Sequence, residues 1–312
     1  MNSASPSGAS RSFTGLDPNY CGGPGQMING SAIPLNTAKY SMMMKLRSTL
    51  LTTLLLCIAS LASAADHDSQ INAIMTETGF DKLVEHIPEF AQNTLKQSSG
   101  ALEPQVNSSL SKAFNQSFAS ATVRKDVLAV IQAHYDDKQG AAYLQRLQSP
   151  LSKKIAELER RTNEAGNRDD FAAFAQALKT KPAPARRIKQ IERLDKATHI
   201  TDFGVDLQAA LFKAVFTAVN PVMDEEMRVG DSEMEKMVKE VRHSFSGAYK
   251  EGTQISYLYT FRSLSDQELE EYIKLCESSD YRWGVQLLGN AMISALNQAA
   301  ERAAVLMAQN NQ

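Results

Sequence analysis

Leu264-Ser-Asp-Gln-Glu-Leu-Glu-Glu-Tyr-Ile-Lys-Leu-Cys-Glu-Ser-Ser279 decides the fold of this chain, because the same unit can be read twice. Ser265 and Glu268 have the S-x-x-E spacing of a capping box, in which serine and glutamate satisfy each other's backbone amides at a helix start. Leu264 and Leu269 then hold the N′ and N4 positions of a hydrophobic staple. Leu269, Tyr272, Ile273 and Cys276 follow at i, i+3, i+4 and i+7, one apolar face of a helix. Ser278 and Ser279 end that helix, and Asp280 is placed to cap the next.

The stretch Tyr135 to Pro150 lies 129 positions earlier and aligns without a gap. Asp137, Tyr143, Leu144 and Ser149 stand where Asp266, Tyr272, Ile273 and Ser278 stand. The capping box is missing, but Pro150 follows Ser149. Proline at the first helical position has its φ already set, and the serine before it can serve as N-cap. Each copy therefore predicts helix, tight corner, helix.

These residues resemble the secreted bacterial helical module known as domain of unknown function 2059. Its pattern is an aromatic residue or Leu, then Ser/Thr-x-x-Glu-Leu, two apolar pairs, and Ser-Pro-x-Gly-x-Lys. The second copy keeps the front of it, with Leu264, Ser265, Glu268, Leu269, Tyr272, Ile273, Leu275 and Cys276. It loses the end, with Ser279, Tyr281 and Arg282 where Pro, Gly and Lys are expected. The first copy keeps the end, with Ser149, Pro150, Lys153 and Lys154, and has Gly140 where the front requires Leu. The resemblance covers about twenty residues per copy and implies two degenerate helical modules in an exported protein. That family carries no established reaction, so the resemblance implies none.

Outward from the two units, residues 1–41 are rich in Gly, Ser, Pro and Asn and lack any apolar period. Such a stretch buries too little surface to order itself. Met42-Met-Met-Lys-Leu-Arg47, a mostly apolar run from Thr49 to Leu61, and Ala62-Ser-Ala64 then read as a signal peptide over 42–64. The run is too short to span a bilayer, which takes ~20 residues. A leader of this kind predicts initiation at Met42, Met43 or Met44, with 1–41 a disordered tail or an over-long gene reading. Leu56 before Cys57 sits where a lipoprotein signal needs a small residue, which argues against lipidation.

The predicted mature chain, 65–312, loses Arg11, Lys39, Lys45, Arg47 and Asp17 and keeps 29 basic and 34 acidic side chains. A surface of that balance favours solubility and gives no bias toward nucleic acid. Of three cysteines only Cys276 remains, so an oxidising compartment adds no internal disulfide.

Apolar residues recur at helical spacing throughout, and no strand pattern competes. Phe80, Leu83, Ile87 and Phe90 make one stripe, with Pro88 expected to kink or restart its helix. Pro104 opens another helix. Phe171, Phe174, Ala175 and Leu178 form a short one after the break at Ala165-Gly-Asn167. Lys179-Thr-Lys-Pro-Ala-Pro-Ala-Arg-Arg187 interrupts the pattern, and 180–184 reads as a linker. Phe203, Leu207, Leu211, Val215 and Val219 follow as a second stripe. Ser232-x-x-Glu235 reads as the cap of a helix carrying Met234, Met237, Val238, Val241 and Phe245. A long Ala-rich helix from Trp283 to Met307 closes the chain. The expectation is an all-α protein of two similar helical-bundle modules, 65–179 and 185–312, packed together or joined by that linker.

Candidates for chemistry are few. The five histidines are not spaced for joint ligation on one helix. Ser109 and Lys112 form an S-x-x-K in which a desolvated lysine would activate the serine, but Asn107, Ser108 and Ser111 around them make a polar surface face. Met223, Met227, Met234 and Met237 could line an apolar groove or hold Cu(I), although methionine is first of all a core filler. Glu268, Glu270 and Glu271 suit capping and the helix N-terminal field better than acid–base work. The sequence thus predicts an exported, non-enzymatic envelope protein. It would bind a partner protein or a second copy of itself, with no cofactor, no nucleic acid and no spanning helix. Two alternatives are a carrier of an apolar small molecule or lipid, with the methionines lining its cleft, and a serine hydrolase built on Ser109 and Lys112.

Overall fold

The computed structural model of the 312-residue chain describes residues 67–98, 103–162, 165–223 and 225–310. The tail over 1–41 and the signal segment over 42–64 lie outside the described residues. The chain divides into two units, one of Leu16–Gln70 and one that contains Ile71–Gln312. Of the first, the described residues 67–70 are helical. All that follows concerns the second.

The described residues are all-α, without a strand. Twelve helices succeed one another: α1 (71–77), α2 (Phe80–Ser98), α3 (Pro104–Ser117), α4 (Ser120–His134), α5 (Asp137–Leu147), α6 (Pro150–Thr162), α7 (Arg168–Thr180), α8 (Ala185–Thr198), α9 (Ile200–Val219), α10 (Asp231–Thr260), α11 (Asp266–Cys276) and α12 (Ser279–Asn310). Gly79 separates α1 from α2 with φ 69°, a left-handed turn that costs glycine little.

Two helices hold the body together. α9 packs against α12 on one side, against α10 on another, and against α2. α12 lies along α9, α4, α3 and α5. Its fully buried Ala291, Ala295, Ala299 and Ala303 recur every four residues, a narrow stripe over which neighbouring helices approach closely. Two apolar clusters result. The first joins α1–α5 to α9 and α12, with Phe114, Phe118, Val127, Leu211, Val215, Met292 and Leu296 among its members. The second joins Ile155 of α6, Ile191 and Leu194 of α8, Leu258 and Phe261 at the end of α10, and Leu269, Tyr272, Ile273 and Cys276 of α11. Each cluster draws on residues from both sides of 180–184, so the segments named as modules share their cores. Residues 181–184 are non-helical, as the prolines require, but they join α7 to α8 within one unit.

Local expectations fail at three helix starts or kinks, each for a physical reason. α2 runs through Pro88 without a break in its helical assignment. Phe80, Leu83, Val84, Ile87, Ala91 and Leu95 are all buried along it, and that packing outweighs the lost backbone bond. α10 begins at Asp231 on an extended Gly230, so Ser232 and Glu235 lie inside the helix and do not form its cap. It then runs 30 residues to Thr260, through Gly247 and Gly252. Asp280, expected to cap the last helix, lies in its first turn, since α12 starts at Ser279.

One corner has no signature in the sequence. His199 joins α8 to α9 with φ 53°, left-handed for a non-glycine residue. The amide of Thr201 donates to Asp195 Oδ1 at 3.0 Å, so a carboxylate from α8 caps α9 across that corner.

Candidate functional site

The two corner units carry caps, ion pairs and a group of buried tyrosines. In the second copy the capping box forms: Glu268 N donates to Ser265 Oγ at 3.2 Å, and Ser265 N donates to Glu268 Oε2 at 2.9 Å. Leu264 and Leu269 are both buried in the second cluster, where a staple places them. In the first copy Asp136 caps α5 by accepting from Gln139 N at 2.8 Å. Ser149 caps α6 by accepting from Ser152 N at 3.2 Å. Ser265, Asp136 and Ser149 thus cap the three helices that start at Asp266, Asp137 and Pro150.

Gly140 gives the first copy its own version of the staple. With Asp136 as N-cap, Tyr135 is N′ and Gly140 is N4, the positions of Leu264 and Leu269. A Cβ on Gly140 would collide with the Tyr135 phenol. A tyrosine folded over a glycine thus replaces a leucine against a leucine.

The two corners also cross. Arg146 of α5 donates to Asp280 at the start of α12, and Lys154 of α6 donates to the capping Glu268 of α11. The ring of Tyr143, 2% exposed, lies on Gly284 so closely that a Cβ there would collide with it. Tyr143 meets Tyr281 edge-on at 5.4 Å between centroids. On the other side α8 clamps α11 with three residues spaced three apart. Arg187 donates to Asp266 Oδ1 at 3.2 Å, Gln190 Nε2 to the Asp266 carbonyl at 2.9 Å, and Arg193 reaches both Glu270 and Glu277.

Inside this frame sits a group of side chains that could in principle do chemistry: Tyr143, Tyr257, Tyr272, Tyr281, Cys276 and Glu159. Tyr281, Tyr272 and Cys276 couple electrostatically to one another. The Tyr257 hydroxyl pairs with Thr198 Oγ1 at 3.0 Å. Glu159, one turn beyond Ile155 on α6, couples electrostatically to Tyr257, Tyr272 and Cys276. Burial raises all four phenols above their ordinary range and pushes the Cys276 thiol up to about 12. Burial also pushes Glu159 up to about 7, although the residue as a whole is only partly covered. The phenols and the thiol are therefore neutral hydrogen-bonding groups at neutral pH, and a neutral thiol is a poor nucleophile.

The surface carboxylates behave oppositely. Hydrogen bonds from Arg160 and Arg161 hold Glu157 down at about 2. Lys154, then the Ser265 amide and hydroxyl, hold Glu268 at about 2. Arg193 lowers Glu270, and Glu271 accepts from Gln267. Asp280 is raised by its burial, but Arg146 and other hydrogen bonds more than offset this and leave it below its ordinary range.

The other sequence candidates are dispersed. Lys112 is exposed and Ser109 half-buried on α3, whereas a lysine that activates serine must be desolvated. Met234 is buried, Met223 packs on the edge of the first cluster, Met237 is half-buried, and Met227 is 56% exposed beyond the end of α9. Among the described residues no three His, Cys, Asp or Glu side chains are gathered as a metal site. An open surface depression beside Arg186, Lys189, Gln190, Arg193 and Glu270 is lined by groups that largely pair with one another or with α11. No described helix is long and apolar enough to cross a membrane.

The tyrosine group was not visible as a unit in the sequence. Its four members lie on α5, α10, α11 and α12, and only the aligned pair Tyr143 and Tyr272 gave a signal. No family model, curated protein or solved structure matches the chain.

Proposed function

We propose that this chain is an exported, non-enzymatic helical protein of the cell envelope that works by binding a partner protein or a second copy of itself. One observation carries the reading. The residues best suited to chemistry, four tyrosines and a thiol, are spent on joining helices. The Tyr257 hydroxyl pairs with Thr198, the Tyr143 ring lies on Gly284 and against Tyr281, and burial keeps the phenols and the thiol neutral. The polar side chains of the two units go into caps and cross-corner ion pairs, which supports a scaffold. Export rests on the n-region, h-region and Ala62-Ser-Ala64 read in the sequence. Kinship with the domain of unknown function 2059 rests on the corner residues, now joined by the Tyr135–Gly140 staple at the place where the first copy departs from the pattern.

The carrier alternative would set an apolar ligand between the halves. The two shared clusters occupy that space with side chains, which favours the binding reading. Native mass spectrometry on protein purified from its own envelope tests the choice. The expected species is a chain beginning at Ala65, alone or with a protein partner or second copy. A retained leader, or a stoichiometric lipid that leaves on mild activation, would overturn the proposal. Labelling by an activated-serine probe that disappears in Ser109→Ala would revive the hydrolase.

A further inference from the structure

α7 is held unlike any other helix of the chain. It alone among α1–α12 has no buried residue. Among the described residues no hydrogen bond or ion pair joins it to another helix, and its Arg168, Asp169, Asp170 and Lys179 are all exposed. Its grip is Phe171, Phe174 and Leu178, at i, i+3 and i+7. Both phenyl rings stand edge-on to Tyr259 of α10 at 5.3 Å between centroids, and Phe174 and Leu178 pack on the second cluster. That spacing is how an amphipathic helix lies in an apolar groove. Tyr259 is itself 2% exposed, with the Arg262 guanidinium 3.8 Å from its ring centre. Its hydroxyl is buried and has no hydrogen-bond partner among the described residues, where a buried phenol ordinarily finds one. Between its anchors α7 brings only Ala172, Ala173 and Ala175, so it covers this wall without completing it.

We propose that the groove beneath α7, between Tyr259 and the edge of the second cluster, is where this chain binds its protein partner, and that α7 fills it until the partner displaces it. The partner presents an amphipathic helix with large apolar side chains at i, i+3 and i+7, because α7 itself shows what the groove accepts. This rests on the binding reading above and gives that reading a site. Local opening draws on elements with few buried contacts, and α7 has the fewest. Residues 181–184 after it are non-helical, so it can leave without unwinding α8. While α7 is docked, the partner's apparent affinity is reduced to the fraction of chains whose groove is open.

The α7 sequence supplies the probe, a labelled peptide of residues 168–180 added to the full chain. Loosening the resident helix with Phe171→Ala and Phe174→Ala together should tighten peptide binding at least about tenfold over wild type. A peptide carrying the same two alanines should not bind. Amide hydrogen exchange gives a second readout that needs no variant. In the wild type α7 should exchange faster than α8 and α11, and saturating peptide should speed α7 further while the buried stretch Ala291–Ala303 of α12 stays unchanged. An α7 as protected as α11 overturns the proposal. So does a peptide that fails to bind the double variant while Ala291–Ala303 remains protected. Binding that leaves the exchange of wild-type α7 unchanged also overturns it, because the peptide would then sit elsewhere. If the double variant unfolds, the wild-type exchange measurements decide. Each of these failures leaves the envelope-binding reading standing; that reading fails instead on the retained leader or the stoichiometric lipid.

Discussion

If Tyr135 over Gly140 is the first unit's staple, then exchanging both residues for the second unit's pair should cost clearly less than the two single exchanges added together. Gly140→Leu alone drives a side chain into the Tyr135 phenol. The ring cannot swing away freely, because it packs on the first cluster and meets Trp283 edge-on at 5.7 Å. Overpacking of this kind costs about 1–3 kcal/mol, partly offset by up to about 1 kcal/mol of better helix propensity. Tyr135→Leu alone uncovers Gly140 and loses the aromatic contact. That contact is worth about 0.5–1.5 kcal/mol, with a cavity term beyond it. The double variant restores a Leu–Leu staple and should lie within about 1 kcal/mol of whichever single variant is milder, for a coupling of about 1–2 kcal/mol. Urea midpoints for the four proteins, at unchanged slope, measure the cycle. Additivity within about 0.5 kcal/mol would mean that the two positions do not form one staple, and the alignment of the copies would lose its best structural support.

Three further outcomes follow from the same contacts. Gly284→Ala should destabilise by about 1–2 kcal/mol through overpacking against Tyr143, whereas Gly252→Ala and Gly247→Ala, with open space around them in α10, should stabilise by about 0.5–1 kcal/mol; thermal midpoints moving in the same direction for all three would refute the close approach. Leu269→Ala should cost about 2–5 kcal/mol and Ser265→Ala about 1 kcal/mol, since one empties a fully buried site and the other removes only an exposed cap; equal losses in urea would contradict that division. Glu157 and Glu268 have pKa values lowered to about 2, so their stabilising effect is present above the ordinary 4.5 and lost as pH falls toward 2. Lys154→Gln should accordingly move acid unfolding to higher pH, and the shift should shrink in high salt; an unchanged acid midpoint would show the Lys154–Glu268 pair to be inert.

What the sequence disclosed and what it hid divide along one physical line. Corner grammar is local: a cap, a staple and a proline act within six residues, so Ser265, Glu268, Ser149 and Pro150 could be placed before any fold was known. Helix periodicity is nearly as local, and it gave the all-α class and the stripes along α2, α9 and α11. Failures occur where distant packing overrides a local preference. Pro88 stays helical because a buried face holds its helix on both sides, and α10 starts early because Gly230 accepts an extended backbone. The candidate site is the extreme case. Tyr143 finds Gly284 and Tyr281, and Glu159 finds Tyr257 and Cys276, across separations that no window spans. The alignment of the two corner units offers one bridge between the two scales. An offset of 129 carries Tyr143 onto Tyr272 and Gly284 back onto Ile155, and Tyr272 and Ile155 lie together in the second cluster. Each copy's tyrosine thus lies in one cluster with residues from the start of the other copy's second helix, and the mismatched residue types record what each faces. Glycine stands where a ring must lie flat on α12, and isoleucine where α6 must fill the second cluster. Residues at which the two aligned units differ are thus among those that let the two corners cross.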